Sequence, residues 1–354
     1  MSEPLVSIVC ISYNHGPFIA AALDGFLMQQ TTFPYEIIVS DDASTDNTQA
    51  VIRSYQERYP ERLRVTLRSQ NVGANENGLA AIASVRGRYV AFCEGDDYWT
   101  DPHKLQKQVD FLTFHQEYSV CFHRSLEFYQ DHSRPDTLFP SDRLLRKLRA
   151  SGGFTPENLL SSFFIRFNSV MFRWRFRGEE VREYLPPGLI NGDVFFLYMH
   201  ALTGKIGFLD ETMSAYRLHP NGIWSSLRSE YDRYSQYGVS IVTCYHTLKK
   251  YSPPELQAEV KKGIDFHVRR MIVLFLEHND FTQLARLQDA YPEYYRENLY
   301  YSLPHPATGF RRKLYQAGHA FLTHLEEYGF RETARKLAGL ISFRLKFLLL
   351  SCYR

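Results

Sequence analysis

Four short apolar runs, each ending in polar residues, constrain this chain more than any other feature. They are VSIVCISY (6–13), YEIIVSDD (35–42), LRVTLRS (63–69) and RYVAFCE (88–94). Each has the length of a buried strand, and the segments between them carry helical stripes. After the break NHGP, Ile19, Leu23 and Phe26 share one face of a helix running from Phe18 to Gln30. Ile52, Tyr55 and Tyr59 recur at helical spacing behind Ser44, Thr45 or Asp46, any of which can cap that helix. NENGLAAIASV (75–85) is a third helix. In a fourth, Asp101-Pro102 reads as N-cap and first helical residue, with Leu105, Val109 and Leu112 turned inward. Strand–helix alternation with short connections predicts an α/β fold with a doubly wound, mostly parallel central sheet and helices on both faces. Ligands of such sheets bind beyond the carboxyl ends of the strands. Four polar clusters lie there: Ser12-Tyr13-Asn14, Asp41-Asp42, Asn71, and Glu94 to Asp97.

Beyond residue 118 the pattern is mixed. YSVCFHRSLEFY and FNSVMFRW read as strands, NGDVFFLYMHALTG as a short helix with Asp193 at its start, and KIGFLDETMSAYRLHPNG as a strand pair running out at His219. Past 226 the periodicity is helical. The expected division is an α/β domain over 1–225 and a helical region over 226–354. A net charge of +2 argues against a nucleic-acid binder. The five cysteines form no CxxC pair, which suits a reducing compartment. No stretch reaches the ~18 apolar residues that span a bilayer, and no basic leader opens the chain, so the expected location is cytoplasmic.

In EGDDYWTDP (94–102), Asp101 takes the helix cap and leaves Glu94, Asp96 and Asp97 crowded at the fourth strand's exit. Single acids in a turn are commonplace. Three together are costly unless a cation offsets them, and Mg²⁺ or Mn²⁺ does so with one or two carboxylates, completing its shell with water and phosphate oxygens. There is no GxxxxGK[ST], and no GxGxxG follows the first strand, so a metal is the expected phosphate anchor.

The runs VSIVCISYNHGPFIAAALDGFLMQQ, EIIVSDDASTDNT, SQNVGANENG and YVAFCEGDDYWTDPHKLQKQVDFL, in this order and spacing, with NGDVFF and YRLHPNG later, resemble the family 2 glycosyltransferases of GT-A fold. The form CEGDDYWTDPxKLQxQ is similar to a bacterial branch that builds surface polysaccharides. The resemblance covers roughly residues 5 to 225. It implies that Ser12 and Tyr13 line the nucleobase and that Asn14 fixes their loop. Asp41, with Asp42 beside it, would accept from a base N3–H, favouring UDP; Asn71 would touch the base. Glu94-Gly95-Asp96 fills the DXD position with Glu for the first Asp, leaving open whether Glu94 meets ribose or metal. Asp96 and Asp97 would bind Mn²⁺ or Mg²⁺. Asp193 would be the general base, a role compatible with capping its helix. His219 would touch metal or diphosphate, although a histidine in an HPNG turn is as readily a solvated turn residue. Trp99 and Trp224 suit sugar stacking or packing equally.

The implied reaction is an inverting transfer from a nucleotide-sugar donor to a hydroxyl of a glycan or lipid-linked glycan acceptor. Residues 311–354 hold nine Lys/Arg against three acids around the stripe Phe330, Ala334, Leu337, Ile341, Leu345 and Leu348. This is either a packing helix or an interfacial helix on anionic lipid at the inner face of the plasma membrane. Two rival readings are a nucleotidyltransferase, for which SYNHGPF lacks the lysine or arginine that would hold a triphosphate, and a degenerate sugar-nucleotide-binding scaffold.

Overall fold

The computed structural model describes residues 3–185, 189 and 192–302. The basic stripe of the C-terminal tail therefore lies outside the described residues. By contact the chain divides into two units, residues up to Ser226 with Thr243–Val260, and Leu227–Val242 with the residues from Lys261 onward.

The first unit opens with alternating strands and helices: β1 (Val6–Ser12), α1 (Ile19–Leu27), β2 (Tyr35–Asp41), α2 (Thr48–Arg58), β3 (Leu63–Leu67), α3 (Ala74–Ala83) and β4 (Tyr89–Phe92). It continues through β5 (Tyr98–Trp99), α4 (Lys104–Phe114), β6 (Tyr118–Tyr129), β7 (Thr137–Phe139), α5 (Asp142–Ala150), α6 (Pro156–Ser161), β8 (Met171–Arg173), α7 (Val181–Tyr184), α8 (Gly192–Ala201) and β9 (Lys205–Leu218). The nine strands form one sheet of order β3-β2-β1-β4-β8-β6-β9-β5, with β7 on β6. β1 to β4 are mutually parallel, and β8 enters antiparallel between β4 and β6. β6 and β9 then run with the first four, while β5 and β7 oppose them. β1 has β2 on one side and β4 on the other, so chain order reverses there and a crevice opens at its carboxyl end.

Apolar burial fixes this arrangement. Ile19, Leu23 and Phe26 of α1 and Leu105 and Leu112 of α4 are fully buried with Ile8, Cys10, Ile37, Val39 and Ala91 of the sheet. Each of the Leu, Ile, Val and Phe side chains among them contributes about 1.5–3 kcal/mol relative to exposure. α1 also approaches β5 closely. A Cβ on Gly25 would sit 2.9 Å from the Trp99 amide nitrogen and 3.0 Å from its carbonyl oxygen, both backbone atoms with little room to retreat. Gly25→Ala is expected to destabilise the protein by about 1–3 kcal/mol, read as a lower denaturation midpoint. An unchanged midpoint would mean that helix and strand can separate freely.

Three local expectations need correction. α4 starts at Lys104, two residues beyond the anticipated Pro102. The Asp101 carboxylate accepts from the His103 amide at 2.7 Å, and the Gln29 side-chain carbonyl, from beyond α1, accepts from Leu105 N at 3.1 Å. The cap thus comes from a distant residue. FNSVMFRW is a strand only over Met171–Arg173, because Phe167–Ser169 forms a 3-10 turn. KIGFLDETMSAYRL is a single strand whose register with β6 skips between Leu209 and Thr212. The polar residues that suggest a turn, Asp210 and Glu211, are accommodated in that irregularity, where they pair with Arg124 and Lys107.

The second unit is helical and includes parts of α9 (Glu230–Tyr251) and α10 (Gln257–Glu277), followed by α11 (Phe281–Ala290) and α12 (Pro292–Ser302). Glu230 pairs with Arg270, and the Tyr234 hydroxyl meets His267 Nδ1 at 2.8 Å. No helix among the described residues is long and apolar enough to cross a membrane.

Candidate active site

β1 delivers Ser12, Tyr13, Asn14 and His15 to the crevice. Asn14 takes the left-handed conformation (φ 56°), and its side-chain carbonyl accepts from Thr45 N at 2.8 Å, tying this loop to the one after β2. Tyr13 is left 45% exposed, with a free ring face at the rim. Asp41, at the end of β2, is fully buried. Its carboxylate accepts from Ser12 Oγ at 2.8 Å, Gln49 Nε2 at 2.8 Å, and both the amide and hydroxyl of Ser44. The expected acceptor for a base N3–H is therefore turned inward and holds loops together. Asp42 accepts from the amides of Val72 and Gly73, each at 2.8 Å, and the Asn71 side chain donates to Asp42 O at 3.0 Å. These contacts fold the segment after β3 against the rim beside Tyr13's loop.

The acidic turn is pinned to β1. Cys93 N donates to Val9 O and Gly95 N to Ile11 O, at 3.1 and 3.0 Å, so β4's line continues past its last ladder residue. Asp96 faces the crevice. Its Oδ2 lies 3.1 Å from His219 Nε2 and 3.7 Å from His15 Nε2, while Oδ1 is buried without a hydrogen-bond partner. Burial alone would raise the Asp96 pKa, but the His219 hydrogen bond and the neighbouring imidazoles outweigh it and hold the group below the usual range. His219 is carried here by the end of β9 and is itself buried.

Asp97 points the other way. Its Oδ1 accepts from Arg217 N at 2.8 Å and its Oδ2 from Asn168 Nδ2 at 2.9 Å, and it is 3% exposed. The expectation that Asp97 binds metal fails on this geometry, since both oxygens are engaged inside the fold. Desolvation, then the nearby Asp96 charge, raise it well above the normal carboxylate range. Its role is to lock β9 to the turn: Asn168 also donates to Ala215 O, and the Trp99 indole donates to Asn168 O. Trp99 is 2% exposed, with Lys104 Nζ 3.9 Å from its ring centre. Sugar stacking by Trp99 is thereby ruled out; Trp224 is 38% exposed.

Glu94, which follows β4 in the same turn, is exposed. Crowding by surrounding protein, then the charges of Asp96 and Asp193, push it up to about 8. The side chain keeps solvent access, and a cation arriving there would favour its ionised form. The same interaction puts Asp193 within electrostatic reach of the acidic turn. Asp193 stands in the first turn of α8, partly buried. Burial raises its pKa, and backbone N–H groups at the helix start moderate the rise. A carboxylate so placed is more basic than an exposed one, as proton abstraction requires.

No three His, Cys, Asp or Glu side chains among the described residues meet at metal-holding spacing. Mg²⁺ or Mn²⁺ needs only one or two protein ligands when a diphosphate and water supply the rest. Asp96, with its unsatisfied Oδ1, fits that pattern, and His219 would join it by giving up its Nε2 contact with Asp96 Oδ2.

Several participants carry no signal of their own in the sequence. His15 sits one residue past the cluster read there. The Arg217 guanidinium donates from Nε to Asp96 O at 2.9 Å and lies 4.7 and 4.8 Å from the ring centres of Phe18 and Phe128. Asn168 and Arg166 reach the site only through the antiparallel β8 segment, which periodicity does not place.

The family model for glycosyl transferase family 2 matches residues 7–178. A Bacillus subtilis (strain 168) relative named "Putative teichuronic acid biosynthesis glycosyltransferase TuaG" is 37% identical over 228 residues, covering 63% of this chain and 83% of that one. The chain belongs to glycosyl transferase family 2. An uncharacterized protein of Mycobacterium tuberculosis (strain ATCC 25618 / H37Rv) is 43% identical over 221 residues, and the match spans 62% of this chain and 61% of its length. Among solved structures, S. aureus TarS residues 1–349 in complex with UDP superposes with TM-score 0.55 and 17% identity, covering 92% of this chain and 91% of that one. The mannosyltransferase PcManGT from Pyrobaculum calidifontis, in complex with GDP-Man and Mn²⁺, gives TM-score 0.50 and 17% identity, covering 95% and 87%. The family 2 chain thus has the GT-A fold.

Proposed function

We propose that this protein is a glycosyltransferase moving a sugar, with inversion, from a nucleoside diphosphate donor to a hydroxyl of a glycan or lipid-linked glycan in bacterial surface-polysaccharide assembly. The observation carrying this reading is the convergence of Asp96, His219 and Glu94 at the β1/β4 crevice with Asp193 in electrostatic reach. The teichuronic acid name of TuaG supports the polysaccharide setting. Residues 1–225 would hold the catalytic machinery.

Tyr13 offers a face for the nucleobase, beside the rim that Asp42 and Asn71 fold into place. UDP is the first donor class to try, as TarS is solved with UDP. Asp41 lends that choice no direct contact, because its oxygens are already taken. Asp96 and His219 would hold Mn²⁺ or Mg²⁺, which when bound would offset charge growing on the departing diphosphate. Glu94, two residues before Asp96 on the same turn and within its electrostatic reach, would hydrogen-bond the donor ribose or join the metal shell. Asp193 would take the proton from the acceptor hydroxyl as that oxygen attacks the anomeric carbon opposite the diphosphate. One base and one displacement invert the centre, through an oxocarbenium-like transition state.

A panel of UDP-, GDP- and dTDP-sugars with Mn²⁺, read as nucleotide release with and without EDTA, tests the proposal. Release from one donor class that stops with EDTA is expected. Release from none of them, under conditions where the protein is folded, would contradict it.

A further inference from the structure

His15 is the residue of the crevice to which no role has yet been attached. The turn that carries it is rigid: its carbonyl accepts from the amides of Phe18 and Ile19, both at 2.8 Å, at the start of α1. On the other side, Gly16 N donates to Asp46 Oδ2 at 2.9 Å. The ring is wedged edgewise, for a Cβ added to Gly95 would lie 3.0 Å from His15 Nδ1 and 3.1 Å from the Ser12 Cβ. Nδ1 is buried and has no hydrogen-bond partner.

That orphan nitrogen decides the tautomer. A buried N–H without an acceptor is more costly than a bare lone pair, so the proton belongs on Nε2. Nε2 is the nitrogen aimed at the crevice, 3.7 Å from Asp96 Oδ2, beyond a direct hydrogen bond. His219 Nε2, at 3.1 Å, already serves that same oxygen. The Nε2–H of His15 is therefore a fixed donor next to the carboxylate but not satisfied by it. The two imidazole rings stand edge to face across Asp96, 6.4 Å between centres.

We propose that His15 is a further substrate-contacting residue: its Nε2–H donates to a diphosphate oxygen of the donor nucleotide beside Asp96. This rests on the glycosyltransferase reading and adds to it a protein donor for the leaving group. A hydrogen bond to a charged oxygen contributes more than a neutral one, about 1.5–3 kcal/mol. It would act at the diphosphate and leave the nucleoside untouched.

The test compares calorimetric affinities of the full chain for UDP and UMP, and for GDP and GMP, with Mn²⁺ present throughout. His15→Ala should weaken diphosphate binding by about tenfold or more and leave monophosphate binding within about twofold. His15→Gln, whose side-chain amide can present an N–H near the Nε2 position, should restore most of the loss. Equal weakening of mono- and diphosphates in both variants would assign His15 a purely structural role and overturn the inference, as would unchanged diphosphate affinity in His15→Ala. Wild-type protein that binds neither UDP nor GDP would instead overturn the glycosyltransferase reading itself.

Discussion

Asp193→Asn protein is expected to bind its nucleotide-sugar donor as the parent does, yet to transfer the sugar about 10²–10⁴-fold more slowly, the range a positioned general base supplies. The amide occupies nearly the same volume and still accepts hydrogen bonds at the start of α8, so the helix should persist. What it loses is the capacity to take a proton. The carboxylate's position favours that capacity, since burial raises its pKa and the helix-start amides only moderate the rise. Donor affinity by calorimetry and transfer rate under single-turnover conditions separate the two effects. Transfer within about tenfold of the parent would assign the proton to another group.

The second large effect is expected at Asp96. Asp96→Asn keeps a partner for His219 Nε2, so the end of β9 should remain docked. It removes the charge that faces the crevice, and with it the proposed anionic ligand for a divalent ion. Nucleoside diphosphate affinity should then become indifferent to Mn²⁺, falling by about 10²-fold relative to the parent with Mn²⁺, the order of a few kcal/mol of lost charge stabilisation. Mn²⁺ titrations of UDP and GDP binding read this directly. An unchanged Mn²⁺ enhancement would move the metal off Asp96. Asp97→Asn serves as the contrasting variant. Its partners are Arg217 N and Asn168, so its effect should appear mainly as lost stability. One oxygen would no longer be an acceptor there, leaving a buried donor unsatisfied at about 1–3 kcal/mol.

What was legible in the sequence and what was not follows from range. β1, β2 and β4 announce themselves because burial on both faces makes each a nearly continuous apolar run. β3, at the sheet edge, alternates apolar and exposed residues, and the polar exits of all four identify the crevice edge. Ser12, Asp41, Asp42, Asn71 and Asp96 all lie there, and the resemblance in spacing supplied Asp193 and His219. Orientation was hidden. Asp41 and Asp97 are acids like their neighbours, and nothing local distinguishes one whose oxygens are taken by Gln49, Ser44, Arg217 and Asn168. Those partners come from other strands and loops, up to 120 residues away. The α4 cap was misread for the same reason, because Gln29 reaches it across 76 residues. The Asp210–Glu211 irregularity in β9 resembled a turn, since both polar turns and charged bulges place acids between apolar runs. His15 could have been found, because it directly follows Asn14 at the same strand exit as Ser12.

The measurement that bears most directly on the central claim is anomalous diffraction at the manganese edge from crystals grown with Mn²⁺ and UDP or GDP. A single peak within bonding distance of Asp96, bridged to the nucleotide's diphosphate at the carboxyl end of β1, is the expected result. Nucleotide bound elsewhere on the fold, or manganese held without any contact to Asp96, would contradict it.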